Sequence, residues 1–166
     1  MSEARSTPPA FELKIVPRAE LAERVLRLER PIVFTNGVFD LLHRGHVTYL
    51  ARARALGSSL VVAVNSDASV RMLGKGDDRP INTAQDRAAI LAALESVSLV
   101  TIFEELVPLA ALQIVRPEIY VKGADYSIDS TPEAQLARSW NARVLGIAFE
   151  HSCSTTALLD RVRGAR

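Results

Sequence analysis

The sequence predicts an α/β domain built on a doubly wound parallel sheet of five strands. Two observations carry that prediction. Short, nearly all-apolar runs recur at Ile32 to Thr35, Ser59 to Asn65, Leu99 to Phe103, Ile119 to Lys122 and Val144 to Phe149. Runs of this kind read as strands buried on both faces. Helical patterns fall between them, and strands alternating with helices call for a parallel sheet with helices packed on either side.

Residues 1–12 read as a disordered lead-in, because Met1 to Ala10 has no apolar core of a signal peptide. Residues 13–166 read as one domain. Leu21, Val25 and Leu28 stand at helical spacing after Pro17. Strand one runs through Asn36-Gly37 towards a helix from about Arg44 to Leu56, which Gly57 ends as a C-terminal glycine. Strand two, Ser59 to Asn65, is followed by a short helix over Ala68 to Leu73. Gly74-Lys-Gly-Asp-Asp-Arg-Pro80 is a polar, glycine-rich loop, and Thr83 then caps a helix from Ala84 to about Leu94. After strand three, Pro108 opens a helix at its first turn, ending near Val115. Gly123 closes strand four, and Thr131-Pro132 supplies the cap and first residue of the next helix. A last helix, Ser154 to Val162, follows strand five with Ser154 or Thr155 as its cap.

A length of 166 residues suits a single domain that buries about two-thirds of its unfolded surface. The net charge is +1 and no basic tract occurs, so neither nucleic acid nor an anionic membrane is implied as a partner. No apolar run approaches the length of a membrane span. The one cysteine excludes an internal disulfide framework and fits a reducing compartment, with the cytoplasm as the default.

Ligands of such sheets sit outside the carboxyl ends of the strands, where strand order reverses. The loop after strand one carries the most chemistry. Its chain turns tightly at Asn36-Gly37 and brings His43 and His46 to the mouth of a helix. A helix start offers unpaired N–H groups and a positive dipole end, which together make a phosphate site. Residues three apart on a helical turn face the same way, and Gly45 between the histidines lets a ligand approach the backbone. Two imidazoles aimed at phosphate oxygens can stabilise charge that develops during transfer. Two plainer readings stand beside this one. The histidines can be incidental to a helix cap, or they can be metal ligands. Zinc needs three or four protein ligands, and only His151 and Cys153 remain to supply them. Cys153 reads as packing. Neither a glycine-rich dinucleotide fingerprint nor a Walker loop is present.

Several segments occur in order: Phe34-Thr-Asn-Gly-Val-Phe-Asp-Leu-Leu-His-Arg-Gly-His46, Val64-Asn-Ser-Asp67, Gly76-Asp-Asp-Arg-Pro-Ile-Asn82, Leu91-Ala-Ala-Leu-Glu-Ser-Val97, Val121-Lys-Gly-Ala-Asp-Tyr126 and Ser154-Thr-Thr156. The His-x-Gly-His resembles the nucleotidyltransferase superfamily of cytidylyltransferases and small adenylyltransferases. The full set, over roughly Pro31 to Gly164, is similar to its heptose 1-phosphate adenylyltransferases in their stand-alone form. The resemblance implies a Rossmann-like, HIGH-type nucleotidyltransferase fold. It also implies transfer of AMP from ATP to D-glycero-β-D-manno-heptose 1-phosphate, giving ADP-heptose and pyrophosphate for the lipopolysaccharide inner core.

The resemblance assigns roles as well. His43 and His46 donate to the reacting phosphates, and Lys75 closes over them as a third catalytic group. Thr35, Asn36, Gly37, Phe39 and Gly45 approach ATP closely, while Lys122, Gly123 and Asp125 read the nucleotide. Ser154, Thr155 and Thr156 hold its phosphates. Asp40 orients a partner donor or the sugar phosphate, and Asn65, Arg79, Arg87 and Tyr126 serve the acceptor. Mg²⁺ enters with ATP, bridging the triphosphate and keeping several waters. Plain readings stay open for three of these: an exposed helix arginine at Arg87, an exit turn at Lys122-Gly123, and simple caps at Ser154 to Thr156. Exposed Leu and Val leave room for a homodimer.

The chain departs from the family pattern at Gln85-Asp86, where a glutamate pair is usual, and at Ala124, where a glycine is usual. The usual arginine ahead of Ser154 is absent, with Ala148 and Phe149 in that stretch. The rival readings are a cytidylyltransferase for glycerol 3-phosphate or a similar acceptor, and a nucleotide-binding domain without turnover.

Overall fold

Residues 7–74, 78–123, 128–148 and 155–164 are described by the computed structural model. Lys75, Ala124, Asp125, Tyr126, His151, Cys153 and Ser154 lie outside the described residues, and so do the roles expected of them. Five strands, β1 (Ile32–Gly37), β2 (Ser59–Asn65), β3 (Leu99–Phe103), β4 (Ile119–Gly123) and β5 (Arg143–Ile147), form one sheet. The helices are α1 (Arg18–Val25), α2 (Arg44–Arg54), α3 (Asp67–Met72), α4 (Ala84–Ala92), α5 (Leu109–Val115), α6 (Pro132–Arg138) and α7 (Thr155–Gly164). Every strand pairs in parallel, in the order β3-β2-β1-β4-β5. The doubly wound α/β sheet of the sequence analysis is therefore the fold.

Alternation along the strands builds two cores. Ile32 and Phe34 of β1, Val61 and Ala63 of β2, and Tyr120 of β4 face a cluster with Leu21, Val25, Leu112, Val115, Ala134 and Ala137. Val33, Leu60, Val62, Val64, Ile119 and Val121 face the other way, onto Tyr49, Leu50 and Ala53 of α2 and Ala88, Leu91 and Ala92 of α4. Each buried aliphatic side chain contributes about 1.5–3 kcal/mol, so both faces hold the sheet. Hydroxyl caps fix three helix starts: Ser66 accepts from the Ser69 amide, Thr83 from that of Asp86 and Thr131 from that of Ala134.

Three expectations change. Order begins before residue 13, because Ala10–Lys14 forms a 3₁₀ turn whose Phe11 packs on the second core. The next residue, Ile15, bridges to Val100, and the Val16 amide donates to the Val100 carbonyl. Pro108 is the cap of α5 and not its first helical residue. Strand five, at the β4 edge of the sheet, is only partly buried, unlike β3 at the other edge.

Strand order turns back between β1 and β4, the place where ligands enter such sheets. The ladder there is short. It pairs Val33 with Ile119 and Phe34 with Tyr120, whereas β1 pairs with β2 all the way from Ile32 to Gly37. Past Phe34 and Tyr120 the two strands part, and polar side chains fill the opening.

Candidate active site

The turn after β1 is held by one unusual backbone. Phe39 takes a φ of 51°, in the left-handed region that a bulky side chain enters at about 1–2 kcal/mol. Its ring is 8% exposed, and burying it more than offsets that strain. The ring lies over Gly37, where a Cβ would stand a tight 3.1 Å from Cε2. Phe39 also meets the His46 ring edge-on at 5.5 Å.

His43 is the cap residue of α2, in extended backbone with φ −134° and ψ 170°, yet its side chain makes no capping hydrogen bond. His46 comes three residues later. The two rings stack with centroids 3.9 Å apart and planes 24° from parallel. His43 Nδ1 is buried and has no hydrogen-bond partner among the described residues. A buried polar nitrogen left in that state asks for a ligand. Desolvation lowers the His43 pKa. His46 is lowered to about 4, chiefly by desolvation and further by His43, against a backbone hydrogen bond at Leu41 that raises it. Both rings are therefore neutral near pH 7, beside first-turn amides that attract anions.

Beside this motif the structure turns three expected acceptor ligands inward. Asp40 is 2% exposed. One carboxylate oxygen accepts from Arg79 Nε, and the other from the amides of Ile81 at 2.8 Å and Asn82 at 3.1 Å. Asn82 Nδ2 returns a bond to the Asp40 carbonyl at 2.9 Å. Of the two roles expected of Asp40, orienting a partner donor is the one this geometry fits, with Arg79 as the donor. Arg87 is 1% exposed and donates to the Asn82 carbonyl at 3.0 Å, the Val38 carbonyl at 2.7 Å and Asp67 Oδ1 at 2.7 Å. It braces the turn after β1 against the 79–82 segment, and is buried where one reading has an exposed helix arginine. Asn65 Nδ2 is likewise given to Ser69 Oγ at 2.8 Å. These side chains shape the wall of the site.

The crevice between β1 and β4 holds a second polar group. Asn36 Oδ1 accepts from Tyr120 OH at 3.1 Å and from Lys122 Nζ at 3.2 Å. Lys122 Nζ also lies 3.5 Å from Oε1 of Glu133, a carboxylate on the first turn of α6 that is 3% exposed. On the opposite face of β1, Thr35 Oγ1 and Tyr49 OH share a buried hydrogen bond of 2.7 Å. Burial, the larger influence, raises the Tyr49 pKa, although the bond to Thr35 works the other way. Gly123 ends β4 beside this group. Thr155, at the start of α7, donates to the Leu41 carbonyl at 3.5 Å, so α7 begins next to the histidine loop. The side chain of Thr156 lies outside what is described. The sequence analysis missed Glu133, Tyr49, Tyr120, Asp67 and Asn82. Glu133 lies in the first turn of a helix, where acids are common, and nothing local signals that it is buried.

Residues 34–158 match the family model described as cytidylyltransferase-like. The chain belongs to that family. Among other cytidylyltransferase-like proteins, it is 56% identical over 165 residues to the D-beta-D-heptose 1-phosphate adenylyltransferase of Bordetella bronchiseptica, covering 98% of this chain and 99% of that one. It is 45% identical over 156 residues to the bifunctional protein HldE of Koribacter versatilis, spanning 92% of this chain but 32% of that longer protein. The crystal structure of a lipopolysaccharide core biosynthesis protein from Thermoplasma volcanium superposes with a TM-score of 0.61 at 29% identity, covering 74% of this chain and 98% of that one. A pantoate-beta-alanine ligase from Francisella tularensis, at 15% identity and a TM-score of 0.59, covers 90% of this chain and 76% of that one, and shares the fold. The chain is a nucleotidyltransferase, and the loop carrying His43 and His46 lies inside the matched span.

Proposed function

We propose that this nucleotidyltransferase moves AMP from ATP to D-glycero-β-D-manno-heptose 1-phosphate, releasing pyrophosphate and forming ADP-heptose for the lipopolysaccharide inner core. The stacked pair of neutral imidazoles at an α2 start without a side-chain cap is the observation that carries this reading. A phosphate oxygen of the sugar attacks the α-phosphorus of ATP in line. The bond to the bridging oxygen of pyrophosphate breaks, and no covalent enzyme intermediate forms. Such a reaction asks the protein for position and for charge stabilisation. His43 and His46 donate to the α-phosphate and the leaving group, and the first-turn amides of α2 receive phosphate oxygens. Negative charge arriving beside His46 favours its protonated form, so the ring gains charge as the nucleotide binds.

Asn36, Gly37, Phe39, Lys122 and Gly123 line the nucleotide side in this proposal. Lys75, Asp125, Ser154 and Thr156 complete it, with Arg79 and Tyr126 on the acceptor side. Among the described residues no group of three or more His, Cys, Asp or Glu is placed to hold a metal ion. Mg²⁺ carried by ATP takes its ligands from the triphosphate and water in this reading. No helix among the described residues is long and apolar enough to cross a membrane, and the proposed setting is the cytoplasm. A homodimer belongs to the same proposal, drawing on exposed Leu26, Val47 and Ile90; sedimentation at a fixed protein concentration checks it.

The deciding experiment pairs ATP and CTP with heptose 1-phosphate, glycerol 3-phosphate and other phosphorylated acceptors, following pyrophosphate. ATP with heptose 1-phosphate is expected to give the highest kcat/KM. A preference for CTP, or nucleotide binding without pyrophosphate from any acceptor, would sink the proposal. His46→Ala is expected to lower kcat by about 10²-fold or more, the scale of losing an oxyanion donor, with the fold intact by circular dichroism.

A further inference from the structure

We propose that Glu133 is a positioning residue of the nucleotide site, acting through Lys122 on the uncharged part of ATP. The inference rests on ATP being the nucleotide bound. Glu133 is 3% exposed, and a carboxylate out of water is unfavourable unless partners compensate it. Two partners are present. The Lys122 ammonium lies 3.5 Å away, and the first turn of α6 favours a negative side chain. Stability does not explain the choice of an acid, because a buried ion pair replaced by apolar groups of the same volume is often neutral or more stable.

Lys122 explains it. An ammonium on a four-carbon stem has no fixed direction of its own. Here Nζ is held between Glu133 Oε1 and Asn36 Oδ1, while Tyr120 OH fixes Asn36 from the other side at 3.1 Å. The group ties the end of β1, the end of β4 and the start of α6 together where the β1–β4 ladder has stopped. A buried carboxylate beside the ammonium cancels most of its field. That makes Lys122 a poor holder of triphosphate charge and a well-aimed N–H donor to a neutral acceptor, such as a nitrogen of the base or an oxygen of the ribose. The histidine loop and the α2 amides are left with the phosphates.

The test separates the two halves of the nucleotide. ATP and pyrophosphate binding are measured by calorimetry on wild type, Glu133→Gln, Lys122→Met and the double variant. Glu133→Gln is expected to raise the ATP Kd about ten-fold, a loss of about 1.4 kcal/mol, with pyrophosphate binding within two-fold of wild type. In the Lys122→Met background the same change is expected to add nothing to the ATP Kd, as two residues in one pathway should behave. Equal losses for ATP and pyrophosphate would overturn the inference, and so would an undiminished effect without the lysine. If Glu133→Gln does not fold alone, the comparison of Lys122→Met with the double variant decides, both checked for folding by circular dichroism because Lys122→Met leaves the Glu133 carboxylate buried without its ammonium. Glu133→Asp, which keeps the charge but withdraws it by one methylene, is then expected to fall between wild type and Lys122→Met. A wild-type protein that binds ATP but passes no AMP to heptose 1-phosphate would sink the functional reading and leave this one standing. ATP binding untouched by Glu133→Gln would sink this one alone.

Discussion

His46 is uncharged in the resting site because burial and a stacked neighbour hold its pKa near 4. A polyanion placed against it should reverse that balance, since an opposite charge within a few ångströms favours the imidazolium. An NMR titration of the ring is therefore expected to move upward by more than one unit when ATP is added. A value that ignores ATP would mean that the ring does not face the phosphates. Gly37 sets a second test at the same scale. Gly37→Ala puts a methyl 3.1 Å from the Phe39 ring, and that ring, packed in the second core, has to give by a few tenths of an ångström. We expect a loss of about 1–3 kcal/mol, the usual range for overpacking, and a weaker ATP Kd by calorimetry. Phe39→Gly makes the complementary point. It relieves about 1–2 kcal/mol of left-handed strain but gives up a buried ring worth about 3–5 kcal/mol. The variant should be less stable in urea, and a more stable one would show that the strain dominates.

The segment from Arg79 to Asn82 has no regular structure of its own and is fixed to the turn after β1 by Asp40 and Arg87. Arg87→Met strips the Val38 and Asn82 carbonyls of their donor and leaves Asp67 unpaired. Two carbonyls lose their donor, at about 1–3 kcal/mol for each buried group left unsatisfied, while Asp67 is open enough for water to screen it. A urea midpoint lowered at unchanged m, with faster amide exchange at Ile81 and Asn82, is the expected signature. Exchange unchanged at those two amides would deny Arg87 its bracing role. This clamp also marks where sequence reading stops. The bounds of β2 and β3 follow from nearly unbroken apolar runs, because both strands are buried on both faces. His43 and His46 are legible for a similar local reason, their spacing and a helix start. The inward turn of Asp40, Arg87 and Asn65 is not legible, since a polar residue near a site looks the same in one dimension whether it meets solvent, ligand or a carbonyl from another loop. Glu133 is hidden for the same reason, and its partner comes from a different strand. The rest lies at the margins. β5 is only partly buried, and Phe11 packs although its segment looks like a tail.

At the scale of the whole domain, the shifted histidines and carboxylates favour folding at neutral pH over acid. His46 titrates near 4 in the folded protein against an ordinary 6.5. Between those values the unfolded chain takes up a proton that the folded chain refuses, so stability falls as pH drops from about 6.5 to about 4. His43, lowered by burial, acts in the same direction. Glu118 joins the beginnings of β1 and β4, accepting from Arg30 and from the Ile32 amide at 2.7 Å. Burial pushes its pKa up, but Arg30 and that amide outweigh burial and leave it lowered. Glu105 is lowered too, with burial again opposed by backbone bonds and by Arg18. Those two carboxylates take up protons later than they would in the unfolded chain, so their loss of stability begins only below about pH 4.5. Both are partly exposed, so solvent screens them and the histidines should set the first part of the slope. Thermal midpoints measured from pH 7 down to about pH 4 should fall for wild type and fall less for His46→Ala, which has no ring to protonate. ATP should flatten the wild-type slope, because a nucleotide that raises the His46 pKa turns the same proton from an opponent of folding into a partner of binding. A wild-type slope that His46→Ala does not reduce would place the proton uptake elsewhere. A slope unaltered by ATP would mean that the nucleotide sits away from the ring.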